Sequence, residues 1–317
     1  MKAAIDISVI LCTRNRSNSL SAALESLLNQ EIGGLCQYEI IVVDNHSTDR
    51  TKEVIEGYIE KFGDRIRYAF ESEPGLSCAR NKGVKEAQGR VIAFTDDDCI
   101  IDRHWIAMIY ACAQETDFDG LGGRILPKYP SNTPAWIRAN ADLICGPVLN
   151  HDFGEETKKY VLSMGSIFGA NMAFKKEMFE KHGHFREDLG AGRGTMGEDT
   201  EFYDRLSKKS SKLYYCGKVL VWHPAVKERM TLGYIARWNI GYGRYCVVKH
   251  DGQIEQNIAS YWGIPRYLFR ELVERFIKLI FSCLNSRKFL THWVFLFREI
   301  GMIKAYKDYY LSQVKGS

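Results

Sequence analysis

The sequence predicts an α/β protein built on a doubly wound sheet and followed by a helical C-terminal region. Three observations carry this expectation. Apolar β-favouring runs alternate with amphipathic helical segments through residues 1–112, which requires right-handed crossovers between parallel strands. Each apolar run breaks off into polar residues, as strands do where a parallel sheet opens its carboxyl rim to a ligand. After residue 230 the strand signal stops and helical periodicity takes over.

The first strand, residues 5–12, ends at Thr13-Arg14-Asn15-Arg16. Residues 18–29 then place Leu20, Ala23, Leu24, Leu27 and Leu28 on one helical face. A second strand over 38–43 stops at Asp44, and Asp49 stands where a helix N-cap belongs, ahead of a helix over 51–61. The third strand, 66–70, leads through a polar stretch containing Arg80 and Asn81 into a helix over 78–87. The fourth, 91–94, runs directly into Asp96-Asp97-Asp98-Cys99 before a helix over 103–113. Residues 120–126 read as a further strand, and 127–134 with Trp136 as a loop-rich insertion shaping an acceptor site. Residues 165–174 read as a strand with a helix over 175–182. Residues 190–197 hold four glycines in eight positions, a loop suited to ordering on substrate binding. Glu198 and Asp199 open the next helix, and 212–216 and 219–222 form a short strand pair ending at His223.

Three adjacent carboxylates repel one another unless a cation neutralises them. A hard divalent ion with a diphosphate is their natural partner, because Mg²⁺ takes one or two carboxylates and fills its shell with phosphate oxygens and water. Asp44, at the end of a buried strand, is placed to accept a hydrogen bond from a nucleobase imide, and Arg14 and Arg16 to contact anions. No GxGxxG follows the first strand and no GxxxxGK[ST] occurs, so neither a dinucleotide-binding Rossmann domain nor a P-loop nucleotidase is supported.

Composition narrows the class. With 45% hydrophobic and 26% charged residues, the chain reads as an ordinary globular protein. Nine scattered cysteines, an odd number with no CxxC pair and no secretory leader, lead to the expectation of reduced thiols in a cytoplasmic setting. The net charge of +4 is uneven: residues 224–317 carry 15 Lys and Arg against 7 Asp and Glu. A basic tail of this kind faces something anionic.

The segments ISVILCTRNR, YEIIVVDNHSTDRT, EPGLSCARNKG and VIAFTDDDC, in this order, resemble the nucleotide-binding half of family-2 glycosyltransferases with the GT-A fold. That resemblance implies a GT-A-like Rossmann-type mixed sheet over 1–224, with a nucleotide-binding half at 1–112 and an acceptor half at 113–224. A helical extension follows at 225–317. It implies that Thr13 opens the nucleotide pocket, that Asp44 contacts uracil, and that Arg80 and Asn81 lie near the nucleotide and its phosphates. Asp96 then reaches the ribose and Asp98 coordinates Mn²⁺ or Mg²⁺, with Asp97 kept as a donor-site candidate because all three positions are Asp. Of the pair at 198–199, Asp199 is the expected general base and Glu198 the second candidate; His223 matches a further metal ligand. GANMAF at 169–174 and the Gly183-His184-Phe185 turn are similar to family members as well.

The activity implied is inverting transfer of a sugar from a nucleotide-diphosphate donor, UDP-linked, to a hydroxyl of a glycan or lipid-linked acceptor in cell-surface polysaccharide synthesis. Helices over 267–284 and 289–303, rich in Trp, Phe and basic residues, make a membrane surface a candidate partner, with peripheral placement on the inner face of the plasma membrane. Nucleic acid is not expected. Two alternatives stand beside this. A sugar nucleotidyltransferase would need a Gly-rich basic loop after the first strand, which is missing. A non-catalytic nucleotide-sugar-binding partner would not need acids at both 96–98 and 198–199.

Overall fold

A computed structural model describes residues 4–193, 195–209, 211–252 and 258–316. Gly194, part of the glycine loop, lies outside the described residues. The chain divides into two compact units, one of residues 1–128, 151–194 and 198–224, the other of 129–150, 195–197 and 225–317.

In chain order the elements are β1 (Ile7–Thr13), α1 (Leu20–Leu28), β2 (Tyr38–Asp44), α2 (Thr51–Phe62), β3 (Ile66–Phe70), α3 (Leu76–Glu86), β4 (Val91–Asp96), β5 (Ile100–Ile101), α4 (Trp105–Thr116) and β6 (Gly120–Lys128). They continue with α5 (Ala135–Ala139), α6 (Cys145–Val148), β7 (Thr157–Lys159), β8 (Asn171–Lys175), α7 (Lys176–His182), α8 (Glu198–Ser207) and β9 (Leu213–Pro224). The last are α9 (Leu232–Val248), the β10 (Ser260–Tyr261) and β11 (Ile264–Pro265) ribbon, α10 (Arg266–Ile280) and α11 (Ser286–Gly316).

The first unit is a mixed sheet of nine strands in the order β3-β2-β1-β4-β8-β6-β9-β5, with β7 also on β9. The four N-terminal strands are parallel, as the alternating pattern predicts. From β4 outward the sheet turns antiparallel at β8, and β6 and β9 run parallel to each other. One sheet face packs Ile10, Ile41, Val43, Phe94 and Phe174 against α3, α7 and α8. Phe202 of α8 stacks on Phe179 of α7 with centroids 4.8 Å apart and meets Phe174 edge-on at 4.9 Å. These aromatic contacts hold the helix that begins at Glu198 to the sheet.

Two strands differ from expectation. The segment 165–174 becomes extended only at Asn171, because a turn in which the Asn171 N–H donates to Phe168 O precedes it. The expected pair at 212–216 and 219–222 is one continuous strand with a bulge: Gly123 faces Cys216 while Arg124 faces Leu220. The bulge takes carbonyls out of the ladder, and the Asn171 amide satisfies two of them, donating to Arg124 O and Val219 O at 2.8 Å each. Asp49 sits one residue before the formal cap of α2 yet still accepts from the Thr51 N–H at 3.0 Å.

The second unit is helical. The sequence assigns no element to 137–164, and α5, which follows the expected 127–134 loop, and α6 contribute Ile137, Val148 and the α6 N-cap Ile144 to a core with Met230, Ile235, Leu290 and Val294. α11 runs well beyond the expected 289–303 and packs along α9 and α10. Among the described residues no helix is long and apolar enough to cross a membrane.

Candidate active site

Strand register builds the rim. Thr13 lies opposite Asp44 in the β1–β2 ladder, and Cys12 opposite Asp96 in the β1–β4 ladder, so the three strand ends stop at one level. The loops after β1 and β2 are then joined. Asn15, at φ +53°, accepts from the Thr48 N–H at 2.7 Å, and the Asn15 N–H donates to Ser47 Oγ at 2.9 Å. Asn tolerates that left-handed conformation better than most residues.

Asp44 is buried and its carboxylate is oriented from two sides. The Ser47 N–H donates to Oδ1 at 2.9 Å and the Tyr68 hydroxyl to Oδ2 at 3.1 Å. Burial, then the Asp44 charge, push the Tyr68 phenol up to about 12, so it stays protonated and donating. Tyr68 was not among the residues expected here. Its signal was the β2–β3 register, in which Phe70 faces Asp44 and Tyr68, two residues back, shares that face.

The three consecutive acids have three different environments. Asp97 turns inward and accepts from Thr13 Oγ1 at 2.7 Å; burial raises its pKa to about 6 against the pull of that bond. Asp96 points toward Arg80, 3.7 Å from its guanidinium, and burial raises its pKa despite that cation. Asp98 stands at the sheet edge. β5 pairs antiparallel with β9, placing Ile100 opposite Trp222, and this brings Asp98 back to His223. His223 Nε2 lies 3.2 Å from Asp98 Oδ1, and Arg16 approaches Oδ2 at 4.0 Å.

Asp98, Cys99 and His223 each offer one ligand atom, all within 4.8 Å of one another. The donor set decides among them. Cys99 is fully buried, and its soft sulfur suits neither Mg²⁺ nor Mn²⁺, which prefer oxygen ligands. His223 Nδ1 sits 3.1 Å from Pro224 O, an acceptor, which favours the proton on Nδ1 and leaves the Nε2 lone pair for a cation. A carboxylate and an imidazole fit Mn²⁺ and are acceptable to Mg²⁺.

Across the rim, Arg80 of α3 donates to Glu198 Oε1 at 2.5 Å, and both side chains are buried. Burial works against the Arg80 charge, and Glu198, Asp96 and Asp199 outweigh it, so its pKa is raised. Glu198 is pushed up by burial and then by Asp199, against Arg80. Gly169 faces the guanidinium so closely that any Cβ there would collide with it. The N–H of Gly169 donates to Asp199 Oδ2 at 2.7 Å, and the Thr200 N–H to Oδ1 at 2.7 Å. Glu198 is thus committed inward while the half-buried Asp199 is held at the first turn of α8.

Of the remaining expected residues, Asn81 has its amide spent on the chain: it donates to Phe185 O at 2.9 Å and Glu187 Oε1 at 3.1 Å and accepts from the Phe185 N–H at 3.0 Å. It fixes the turn that lays Phe185 against Arg80, with the guanidinium 5.8 Å from the ring centre. Arg14 is exposed, and among the described residues no ion pair joins it to the acids.

A sheet rim of this kind, with Asp44, Asp96 and Asp98 at or just beyond strand ends and Asp199 in the first turn of α8, can be compared with known proteins. The profile of glycosyl transferase family 2 matches residues 8–183, more than half of the chain. The chain belongs to glycosyl transferase family 2. Among its relatives, GalNAc(5)-diNAcBac-PP-undecaprenol beta-1,3-glucosyltransferase of Campylobacter jejuni is 25% identical over 286 residues, 88% of this chain and 86% of that one. Among solved structures, the mannosyltransferase PcManGT from Pyrobaculum calidifontis, in complex with GDP-Man and Mn²⁺, superposes with a TM-score of 0.57 at 18% identity, covering 98% of this chain and 87% of that one. S. aureus TarS 1–349 in complex with UDP-GlcNAc gives 0.56 at 18% identity, covering 99% and 93%. These structures share the GT-A fold with this glycosyltransferase.

Proposed function

We propose that this family-2 glycosyltransferase is a metal-dependent inverting enzyme that moves a sugar from a UDP-linked donor to a hydroxyl of a glycan or lipid-linked acceptor in cell-surface polysaccharide synthesis. It works in the cytoplasm, peripheral to the inner face of the plasma membrane. The observation that carries the reading is the row of strand ends at Asp44, Thr13 and Asp96, with Asp98 beside His223 and Asp199 held by the Gly169 N–H. Solved relatives bound to UDP-GlcNAc, or to GDP-Man with Mn²⁺, support the donor class and a divalent ion. The Campylobacter relative, named for an undecaprenol-linked substrate, supports the acceptor class.

In this reading Asp44 accepts the imide N–H of uracil and Asp96 the ribose hydroxyls. Asp98 and His223 would hold Mn²⁺ or Mg²⁺, which when bound would supply positive charge against the leaving diphosphate. Arg16 adds a second cation at the phosphates, with Arg14 on the same loop. Asp199 takes the acceptor proton as the hydroxyl oxygen forms its bond to the anomeric carbon. The carbon–oxygen bond to the β-phosphate breaks, its electron pair leaves with UDP, and the anomeric configuration inverts. Calorimetry of UDP, GDP and dTDP, each with Mn²⁺ or EDTA, tests this. Metal-dependent UDP binding is expected, and the absence of such binding for all three would refute the donor site.

Tyr68→Phe is expected to weaken UDP binding about fivefold, because Asp44 loses one of the two donors that orient it, without altering kcat. Calorimetry and steady-state kinetics read the two separately, and an unchanged affinity would remove Tyr68 from base recognition.

A further inference from the structure

Helix α10 has two unlike faces. At about 100° per residue, Leu268, Leu272, Arg275, Leu279 and Ser282 share one side. Leu268 and Ser282 are buried, and Arg275 reaches Glu299 of α11 at 3.3 Å while covering the Phe295 ring at 4.8 Å. The opposite side carries Val273, Phe276, Ile277 and Ile280, and continues past the helix end through Phe281 and Leu284. All six are exposed, from 48% at Ile277 to 84% at Phe281 and 100% at Leu284. Scattered exposed apolar side chains are ordinary, but six at the spacing i, i+3, i+4, i+7, i+8 and i+11 form one continuous stripe.

The charges around the stripe identify what it meets. Residues 266–288 contain six basic side chains against Glu271 and Glu274; with Arg275 paired to Glu299 and Arg287 to Asp142, the remaining Arg266, Arg270, Lys278 and Lys288 leave a net charge of +2. Arg266 and Arg270 lie at the N-terminal end of the stripe and Lys288 follows its other end, all exposed, with Arg287 beside it paired to Asp142 at 2.6 Å. A second copy laid against this face would set one net-basic segment against another. An anionic surface with an apolar layer beneath it matches both features. We propose that the α10 stripe docks this glycosyltransferase on a bilayer rich in anionic lipid, with the helix in the interfacial plane and Phe276, Ile280, Phe281 and Leu284 at the acyl boundary. This sharpens the peripheral placement proposed above and stands apart from the donor site.

Co-sedimentation of the full chain with phosphatidylcholine vesicles, with or without phosphatidylglycerol, tests the docking. Binding is expected only with phosphatidylglycerol, and is expected to weaken with salt. A Phe281→Ser, Leu284→Ser variant should reduce it by about tenfold or more, since both side chains are exposed and their loss leaves the fold intact. Wild-type protein left in the supernatant at low salt, or a variant that binds as well, would overturn the proposal. So would sedimentation equilibrium showing a dimer that the variant converts to a monomer, which would give the face to a second copy. Metal-dependent UDP binding measured on the same samples separates the two readings, because either can fail while the other holds.

Discussion

Asp199→Asn is expected to lower kcat by about 10³-fold while leaving UDP affinity within about twofold of wild type. The substitution keeps the shape of the side chain and removes its capacity to take a proton. Asp199 is held by the N–H groups of Gly169 and Thr200, one on each oxygen, so its position is set by backbone and does not rely on its charge being paired with Arg80. The amide oxygen can retain one of those bonds, which keeps α8 in place. Glu198→Gln gives the contrasting result. Glu198 neutralises a buried Arg80, and removing one partner of a buried ion pair costs about 3–5 kcal/mol of stability. Its primary readout is therefore thermal unfolding, with any loss of turnover following from displaced structure. A kcat for Asp199→Asn within about threefold of wild type would refute the assignment of the base.

What the sequence disclosed and what it concealed divide along a physical line. Strand ends were legible because charge at the end of a buried apolar run is costly unless it opens onto solvent or a ligand: Asp44, Asp96 and the Asp98 edge all stand where the pattern put them. Partners across strands and helices were not, since they depend on register. Tyr68 reaches Asp44 only because β3 pairs in one alignment with β2. The division of Glu198 from Asp199 likewise follows from Arg80 lying beneath α8, a contact 118 residues apart in sequence. Asn81 resembled a nucleotide contact by motif and proves to be tied to the Phe185 turn. The bulge in β9 read as two strands because Gly217 and Lys218 interrupt the apolar pattern, although the backbone runs through. The helices α5 and α6 are too short for periodicity to register.

Asp98→Ala is expected to abolish the metal-dependent part of UDP binding, a loss of about 100-fold in the presence of Mn²⁺, and to leave the weaker binding in EDTA nearly unchanged. The same variant should be slightly more stable than wild type without metal. In the metal-free protein Asp98 adds repulsion to its neighbours: after burial, its charge is among the causes that raise the pKa values of Asp96 and Asp97. Alanine relieves that repulsion, although it also removes the contact with His223. With Mn²⁺ and UDP the order reverses, because a ligand that binds only the folded state stabilises wild type by mass action and cannot do so for the variant. Thermal unfolding in EDTA and in Mn²⁺ with UDP therefore yields two differences of opposite sign. A general packing defect would shift both in one direction. Metal-dependent UDP binding that survives Asp98→Ala would move the cation away from the β5 edge, and with it the role given to His223.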